Sequence, residues 1–435
     1  MPSRLKVKVW KAQTLPPDWF KRTKTADAKD STALEKKVEK VIQQVREQGD
    51  AGLLNYARRF DGAKLNAQNL RVDPKEIKSA YKEVSEEQIA ALKLMKEKLE
   101  GIEKRTLQQQ FTTTSREGIT VQTVLRPIES VGCYVPGGQA AYPSTLVMTA
   151  TPAKVAGVPR IVVCSPVKGE GSINTLILVA ADICGVNEVY KVGGAQAIAA
   201  LAYGTETIKP VKKIVGPGSR YVTTAKILVS KDVAIDMPAG PSEILVLADE
   251  TANPKLIAAD MVSQAEHGAD SVSGLITTSE KLACEVRSCL RKMAASAERE
   301  LIVTSALSTY GFIITCENAD ELVSLANVFA PEHLEIMTRT PKEIADKITS
   351  AGLILIGQYS PVALSDYGSG TNHVLPTGGF GSAFSGLSAL DFTRRVNIVE
   401  SSKEGLAKLK NHVKVLTEAE NLPNHYKAVE ARFEK

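Results

Sequence analysis

The stretch EVYKVGGAQAIAALAYG, residues 188–204, runs from a short apolar segment through a glycine pair into an alanine-rich run. Glu188–Val192 is strand-like in length and composition, Gly193-Gly194 supplies a tight turn, and Ala195–Tyr203 favours helix. The same unit recurs around it: Val131–Val135 before PGG at 136, Ile161–Cys164 before SPVKGEG at 165, and Lys213–Val215 before GPG at 216, each leading into a helical stretch. Strand, turn and helix repeated at this spacing specify a parallel sheet with right-handed crossovers.

Outward from this block, a second α/β stretch begins at Ile244 (ILVLAD) and continues through Gly274–Thr277, Phe312–Thr315 and Leu353–Ile356. Two α/β lobes with a cleft between them are the simplest arrangement. Leu34–Glu103 places Leu53, Leu54, Tyr56, Ala57 and then Ile89, Leu92, Leu94 and Met95 at helical spacing among lysines and glutamates. Gly405–Lys435 is again helical and charged, and no internal sequence repeat stands out.

At 435 residues the chain exceeds the roughly 250–300 residues at which one core stops growing. Its 43% apolar and 24% charged content is that of a globular protein, and no apolar run reaches the roughly 18 residues of a membrane span. A net charge of +5 is spread along the chain with no basic stripe interleaved with aromatics, which argues against nucleic acid. The first residues, MPSRLKVKVW, lack the apolar core of a secretory signal, so a cytoplasmic location is expected. The six cysteines form no C-x-x-C pair and sit mostly in apolar segments; Cys133, beside Gly132, reads as a buried thiol rather than a nucleophile.

Each Gly-rich turn closes a strand and opens a helix, where backbone N–H groups can receive a phosphate, yet none spells G-x-G-x-x-G. GGAQ at 193 is nearest and GPGS at 216 second. QAEH, residues 264–267, is a separate signal in a chain of five histidines. Asn253-Pro254 reads as an N-cap with Pro at the first helical position and Gly268 as the closing glycine, which predicts a helix over Lys255–His267. Gln264 and His267 then share a face and Glu266 points away. Three other stretches could complete a site: Glu332-His333 after Pro331, expected on a loop as an acid/base pair; the polar loop Ser365–His373; and Glu420–His425 near the end of the chain.

These stretches, together with CYVPGG, YPSTLVMTATPAKVAGV, KIVGPG, IDMPAGPSEILVLADETANP, SQAEHGADS, FAPEHLE, SDYGSGTNHVLPT and LDFTRR, resemble the histidinol dehydrogenase family over essentially the whole length. The resemblance implies two incomplete Rossmann-like lobes of aldehyde dehydrogenase type, with helical N-terminal and C-terminal extensions, in an intertwined homodimer. Residues 1–26 would be an N-terminal extension, 27–133 with 244–387 a larger discontinuous α/β domain, 134–243 the NAD-binding lobe, and 388–435 a helical dimerisation segment. It also implies one zinc ion per subunit on Gln264, His267, Asp366 and His425, the last from the other subunit. Glu332 and His333 take the acid/base roles. Substrate contacts fall on Ser242, Gln264, His267, His333, Asp366, Glu420 and His425, and NAD contacts on Tyr134, Gln196 and Ser219. Ser219 departs from the Asn that the family often carries, and loses the second donor of an amide.

The activity implied is a four-electron oxidation of L-histidinol through the aldehyde to L-histidine, with two NAD+ consumed. An amide, two imidazoles and a carboxylate suit zinc, and also manganese or cobalt. The competing readings are a paralogous dehydrogenase of another small alcohol and a non-catalytic zinc-binding scaffold. Glu420 and His425 disfavour the first, and the intact Glu332, His333 and ligand positions disfavour the second.

Overall fold

The structure, a computed structural model, describes residues 5–16, 19, 28–108, 112–137, 141–167, 171–238 and 240–434. The last glycine of PGG, the middle of SPVKGEG and half of the expected 1–26 extension lie outside these residues. In chain order, β1 (Lys8–Lys11) precedes the helices α1 (Ala28–Asp61), α2 (Pro74–Ala80) and α3 (Glu86–Gln108), then β2 (Thr112–Arg116) and β3 (Ile119–Pro127). The first α/β unit follows: β4 (Ser130–Tyr134), α4 (Pro143–Val155), β5 (Arg160–Cys164), α5 (Thr175–Ile183), β6 (Glu188–Tyr190), α6 (Gly194–Tyr203), β7 (Lys213–Val215), α7 (Arg220–Val229) and β8 (Ala234–Ile235). The second holds β9 (Glu243–Ala248), α8 (Pro254–Ala265), β10 (Val272–Thr277), α9 (Glu280–Ala295), α10 (Glu300–Thr309), β11 (Phe312–Thr315) and α11 (Ala319–Phe329). It continues with β12 (His333–Met337), α12 (Pro341–Ala345), β13 (Leu353–Ile356) and α13 (Val362–Tyr367), and the chain closes with β14 (Thr393–Ser401), α14 (Lys403–Ala419) and α15 (Pro423–Glu430).

The first unit is a parallel sheet in the order β6-β5-β4-β7-β8, so the strand order reverses between β4 and β7. The second is a parallel sheet in the order β1-β11-β10-β9-β12-β13 and reverses between β9 and β12. Leaving β1 aside, the two units share one winding, although no sequence repeat announces it. Apolar alternation sorts the second sheet into two cores. Ile244, Val246 and Met337 face α8, α9 and α10, whereas Leu245, Leu247, Leu334 and Ile336 face α11 and α12.

Four expectations change. Residues 27–133 do not pack with 244–387: α1 lies over α6 and α7, and α3 over α4 and α5, so Val38, Val45, Leu53 and Leu99 share one core with Val131, Val163 and Ile198. Residues 8–11 are not a free extension, because β1 adds an edge strand to the second sheet against β11. The segment 388–435 is not wholly helical, since β14 pairs antiparallel with β3 over Thr393–Ser401, and β2 completes a three-stranded sheet. Finally, α8 ends at Ala265, with Glu266 as its cap and His267 in the following turn. The start of α8 agrees: the Asn253 side chain accepts from Lys255 N, with Pro254 in the first turn. Among the described residues no helix is long and apolar enough to cross a membrane.

Glu103 on α3 is 3% exposed, and its Oε2 accepts the Ala389 N–H at 2.7 Å, tying α3 to the segment before β14. Burial, with Asp391 adding to it, pushes the Glu103 pKa up to about 7 despite that hydrogen bond. A raised folded-state pKa on an acid means that the folded protein loses stability as pH rises from the unfolded value through the folded one. Glu103→Gln keeps the acceptor and removes the charge. It should stabilise the protein by up to about 3 kcal/mol at pH 8 and by almost nothing below about pH 4.5, read from denaturant midpoints across pH.

Candidate active site

The parallel pairing of β9 with β12 places Glu243 opposite the residues that open β12. Its main-chain N–H donates to Glu332 Oε2 at 2.7 Å, and its carbonyl accepts from His333 Nδ1 at 3.1 Å. With the Nδ1 proton held by that carbonyl, Nε2 of His333 carries the lone pair, and it is buried without a hydrogen-bond partner among the described residues. Asp366 Oδ1 lies 4.0 Å from it, and Glu332 Oε2 lies 3.6 Å from Nδ1. Burial pulls His333 toward its neutral form, but the Glu332 carboxylate, aided by Asp366 and the Glu243 carbonyl, outweighs it and raises the pKa above the ordinary value. Of the expected loop-borne pair, His333 opens β12 while Glu332 stays in the bend that precedes it. Chain reversal after α11 comes from Ala330, held at φ 46, before Pro331.

Asp366 is in the last turn of α13, not on the polar loop expected for Ser365–His373. His373, which sequence reasoning left without a role, turns back so that Nδ1 is 3.3 Å from the Asp366 carbonyl and 3.8 Å from its carboxylate. Burial lowers the His373 pKa, with Asp366 opposing it. The end of α8 reaches the same place: Tyr367, next to Asp366, is raised by burial and then by Asp366, Tyr142 and Glu266. Tyr142 caps α4 of the first unit, and Asn372 Nδ2 donates to the Met148 carbonyl in α4 at 2.7 Å, so this corner lies where the units meet. Gln264 is 2% exposed and its Nε2 has no partner among the described residues, whereas His267 is exposed. Ser242 is half-buried and directly precedes Glu243.

At the carboxyl edge of the first sheet, Tyr134 ends β4 and its hydroxyl accepts the Gly194 N–H at 3.1 Å. Gln196, in the first turn of α6, is 1% exposed with its Nε2 unpartnered among the described residues, and Ser219 caps α7 through its backbone with an exposed side chain. Gly216 takes φ 112 against the Tyr134 carbonyl, where a Cβ would collide. Lys226 Nζ donates to the Gly216 carbonyl at 2.9 Å and pairs with Asp236, whose Oδ2 accepts the Gly216 N–H at 2.8 Å. Tyr134 thus stands at the reversal of strand order between β4 and β7, where ligands bind doubly wound sheets, and its ring reaches both the Gly194 and the Gly218 turns.

A profile of the family described as Histidinol dehydrogenase matches residues 24–433. The chain is 46% identical over 393 residues to "Histidinol dehydrogenase" of Methanothermobacter thermautotrophicus, covering 90% of this chain and 92% of that protein. It is 44% identical to that of Clostridium acetobutylicum, covering 95% and 96%. The chain belongs to the histidinol dehydrogenase family. The crystal structure of histidinol dehydrogenase from Elizabethkingia anophelis superposes with a TM-score of 0.92 at 36% identity, covering 99% of this chain and 98% of that one. Membership makes the protein an NAD-dependent oxidoreductase of histidine biosynthesis.

Within one chain of this histidinol dehydrogenase family member, Glu420 and His425 stand apart from the corner just described. Glu420 caps α14 and His425 lies in α15; both are exposed, on a helical hairpin that rests against the sheet of β2, β3 and β14. Among the described residues no three His, Cys, Asp or Glu side chains are grouped as a metal centre. The buried thiols are inert in the way expected: burial pushes Cys133 up to about 12 and Cys184 up to about 11.

The Lys226–Asp236 pair is testable by itself. Lys226→Met strands a buried carboxylate and should cost about 3–5 kcal/mol in chemical denaturation, and adding Asp236→Asn, which keeps the acceptor for Gly216, should recover more than half.

Proposed function

We propose that the protein oxidises L-histidinol through L-histidinaldehyde to L-histidine, with two NAD+ per substrate, in a homodimer with one zinc ion per subunit. What carries this reading is the unpartnered Nε2 of His333, buried beside Asp366 while Nδ1 is held by the Glu243 carbonyl. That is the tautomer and placement of a general base.

The zinc ligands would be Gln264, His267, Asp366 and His425 of the partner subunit. The fit rests on a donor set of amide oxygen, imidazole and carboxylate that suits zinc, and on the buried side chain of Gln264, whose Nε2 has no hydrogen-bond partner among the described residues. One chain supplies three of the four donors. Zinc, when bound, supplies a fixed positive template for the amino and imidazole nitrogens of the substrate, and NAD supplies the hydride acceptor.

The rest falls to this chain. In the first oxidation His333 Nε2 takes the hydroxyl proton, and the imidazolium so formed is stabilised by Glu332 and Asp366. In the second, Glu332 activates water to hydrate the aldehyde. Its Oε2 already accepts from Glu243 N, so Oε1 is the atom left for the water. Ser242, Gln264, His267, His333, Asp366, Glu420 and His425 would contact the substrate, and holding it against the nicotinamide supplies proximity worth several kcal/mol of barrier. NAD would lie on Tyr134, Gln196 and Ser219 at the reversal point of the first sheet, both sheets being read as incomplete Rossmann-like lobes. The exposed apolar residues Val396, Ile398, Val399, Val415 and Leu416 on β14 and α14 support a partner chain over this arm. A cytoplasmic location accords with free thiols.

Counting NADH against histidinol in zinc-loaded protein should give two per substrate; one would overturn the four-electron reaction. His333→Asn should slow histidinol oxidation by about 10²–10⁴-fold, while Glu332→Gln should retain the first oxidation and lose the second, measured with histidinol and histidinal separately. Mixing inactive His425→Asn with inactive Asp366→Asn subunits should restore activity, because every mixed dimer then contains one complete site. Absence of complementation would mean that His425 serves its own chain.

A further inference from the structure

Glu335 follows His333 by two residues along β12 and so projects from the same face of the sheet. It is 1% exposed, and the acid/base steps above make no use of it. Its Oε1 accepts the N–H of Val362 at 3.0 Å, the first residue of α13, and that short helix carries Asp366 in its last turn. Its Oε2 meets no N–H or hydroxyl donor, and instead faces Asp260 in hydrogen-bonding contact. Asp260 lies on α8 one turn before Gln264. Two carboxyl groups in contact must share a proton. Burial raises both carboxyls, and the contact between them raises Glu335 further, so the two titrate as a pair that holds one proton between them.

One side chain therefore joins the three elements that carry the site. We propose that Glu335, by bridging Asp260 on α8 and the first amide of α13, is a positioning residue that sets Gln264, His267 and Asp366 at their spacing from His333. The inference rests on the zinc reading above. A neutral carboxyl suits the task because it donates on one side and accepts on the other, and a glutamine of the same length can do both. A leucine fills the space and does neither.

The test compares Glu335→Gln and Glu335→Leu by zinc titration of metal-stripped dimer against a chromogenic chelator, and by deuterium exchange of the peptide containing Val362. Glu335→Gln should bind zinc within about twofold of wild type, and Glu335→Leu at least about tenfold more weakly, with faster exchange at Val362 in the leucine variant alone. Equal zinc affinity in Glu335→Leu and wild type, or equal loss in both variants, overturns the inference. Asp366→Asn is the control: if it too leaves zinc affinity unchanged, the metal reading has failed, whereas loss there with no loss in Glu335→Leu condemns only the positioning role. Should Glu335→Leu not fold, Asp260→Ala at its half-buried position gives the same test, with several-fold weaker zinc binding expected and wild-type affinity overturning the inference.

Discussion

The adjacency of β9 and β12 governs the chemistry of the molecule, because both main-chain groups of Glu243 are spent on the pair Glu332-His333. The carbonyl that fixes the imidazole tautomer and the N–H that fixes the carboxylate flank one Cα in two successive planar peptides, and the extended strand holds both in register with the sheet. Orientation is then a property of a parallel ladder buried on both faces, which is stiffer than any loop. The same ladder places Glu335 one pleat deeper, where it can reach the helices on that face. Strand pairing across about 90 residues of chain thus does the work that a side-chain hydrogen bond to the histidine does elsewhere.

The two sheets share a winding but present opposite edges to the place where the units meet. In the first, the carboxyl ends of β4, β6 and β7 carry Tyr134, the glycine pair and the GPG turn. In the second, the amino ends of β9 and β12 carry Glu243 and His333. A repeated winding used from opposite ends separates the strained glycine turns of one half from the buried charges of the other. The connection is short, since β8 leads into β9 by Asp236–Ser242, and Asp236 is itself locked to Lys226 and Gly216.

Most of the parallel core was legible because its strands are apolar runs closed by glycine turns, as in Glu188–Gly194, and the Asn253-Pro254 start of α8 was legible from capping chemistry. What was missed has physical reasons. β12 reads HLEIM, and its Glu335 conceals a strand buried on both faces. α13 hides beside the polar SDYGSG run, and β2 and β14 show mostly exposed residues, so no apolar alternation marks them. In the site, Gln264, Asp366, Glu332 and His333 were visible as residue types. Glu243 was not, because it acts here through its backbone, which every residue possesses. The return of His373 onto Asp366 depends on a turn that polarity alone does not specify.

The edge strand β1 has a consequence for how the protein is made. It leaves the ribosome about 300 residues ahead of its partner β11. Until then the backbone donors and acceptors of Lys8–Lys11 have nothing to pair with in their own chain, and afterwards they cover the outer edge of β11, which would otherwise be open to a strand from a neighbouring molecule. The earliest-made strand of the second sheet therefore waits for β11 before it can dock, and on docking it seals that edge.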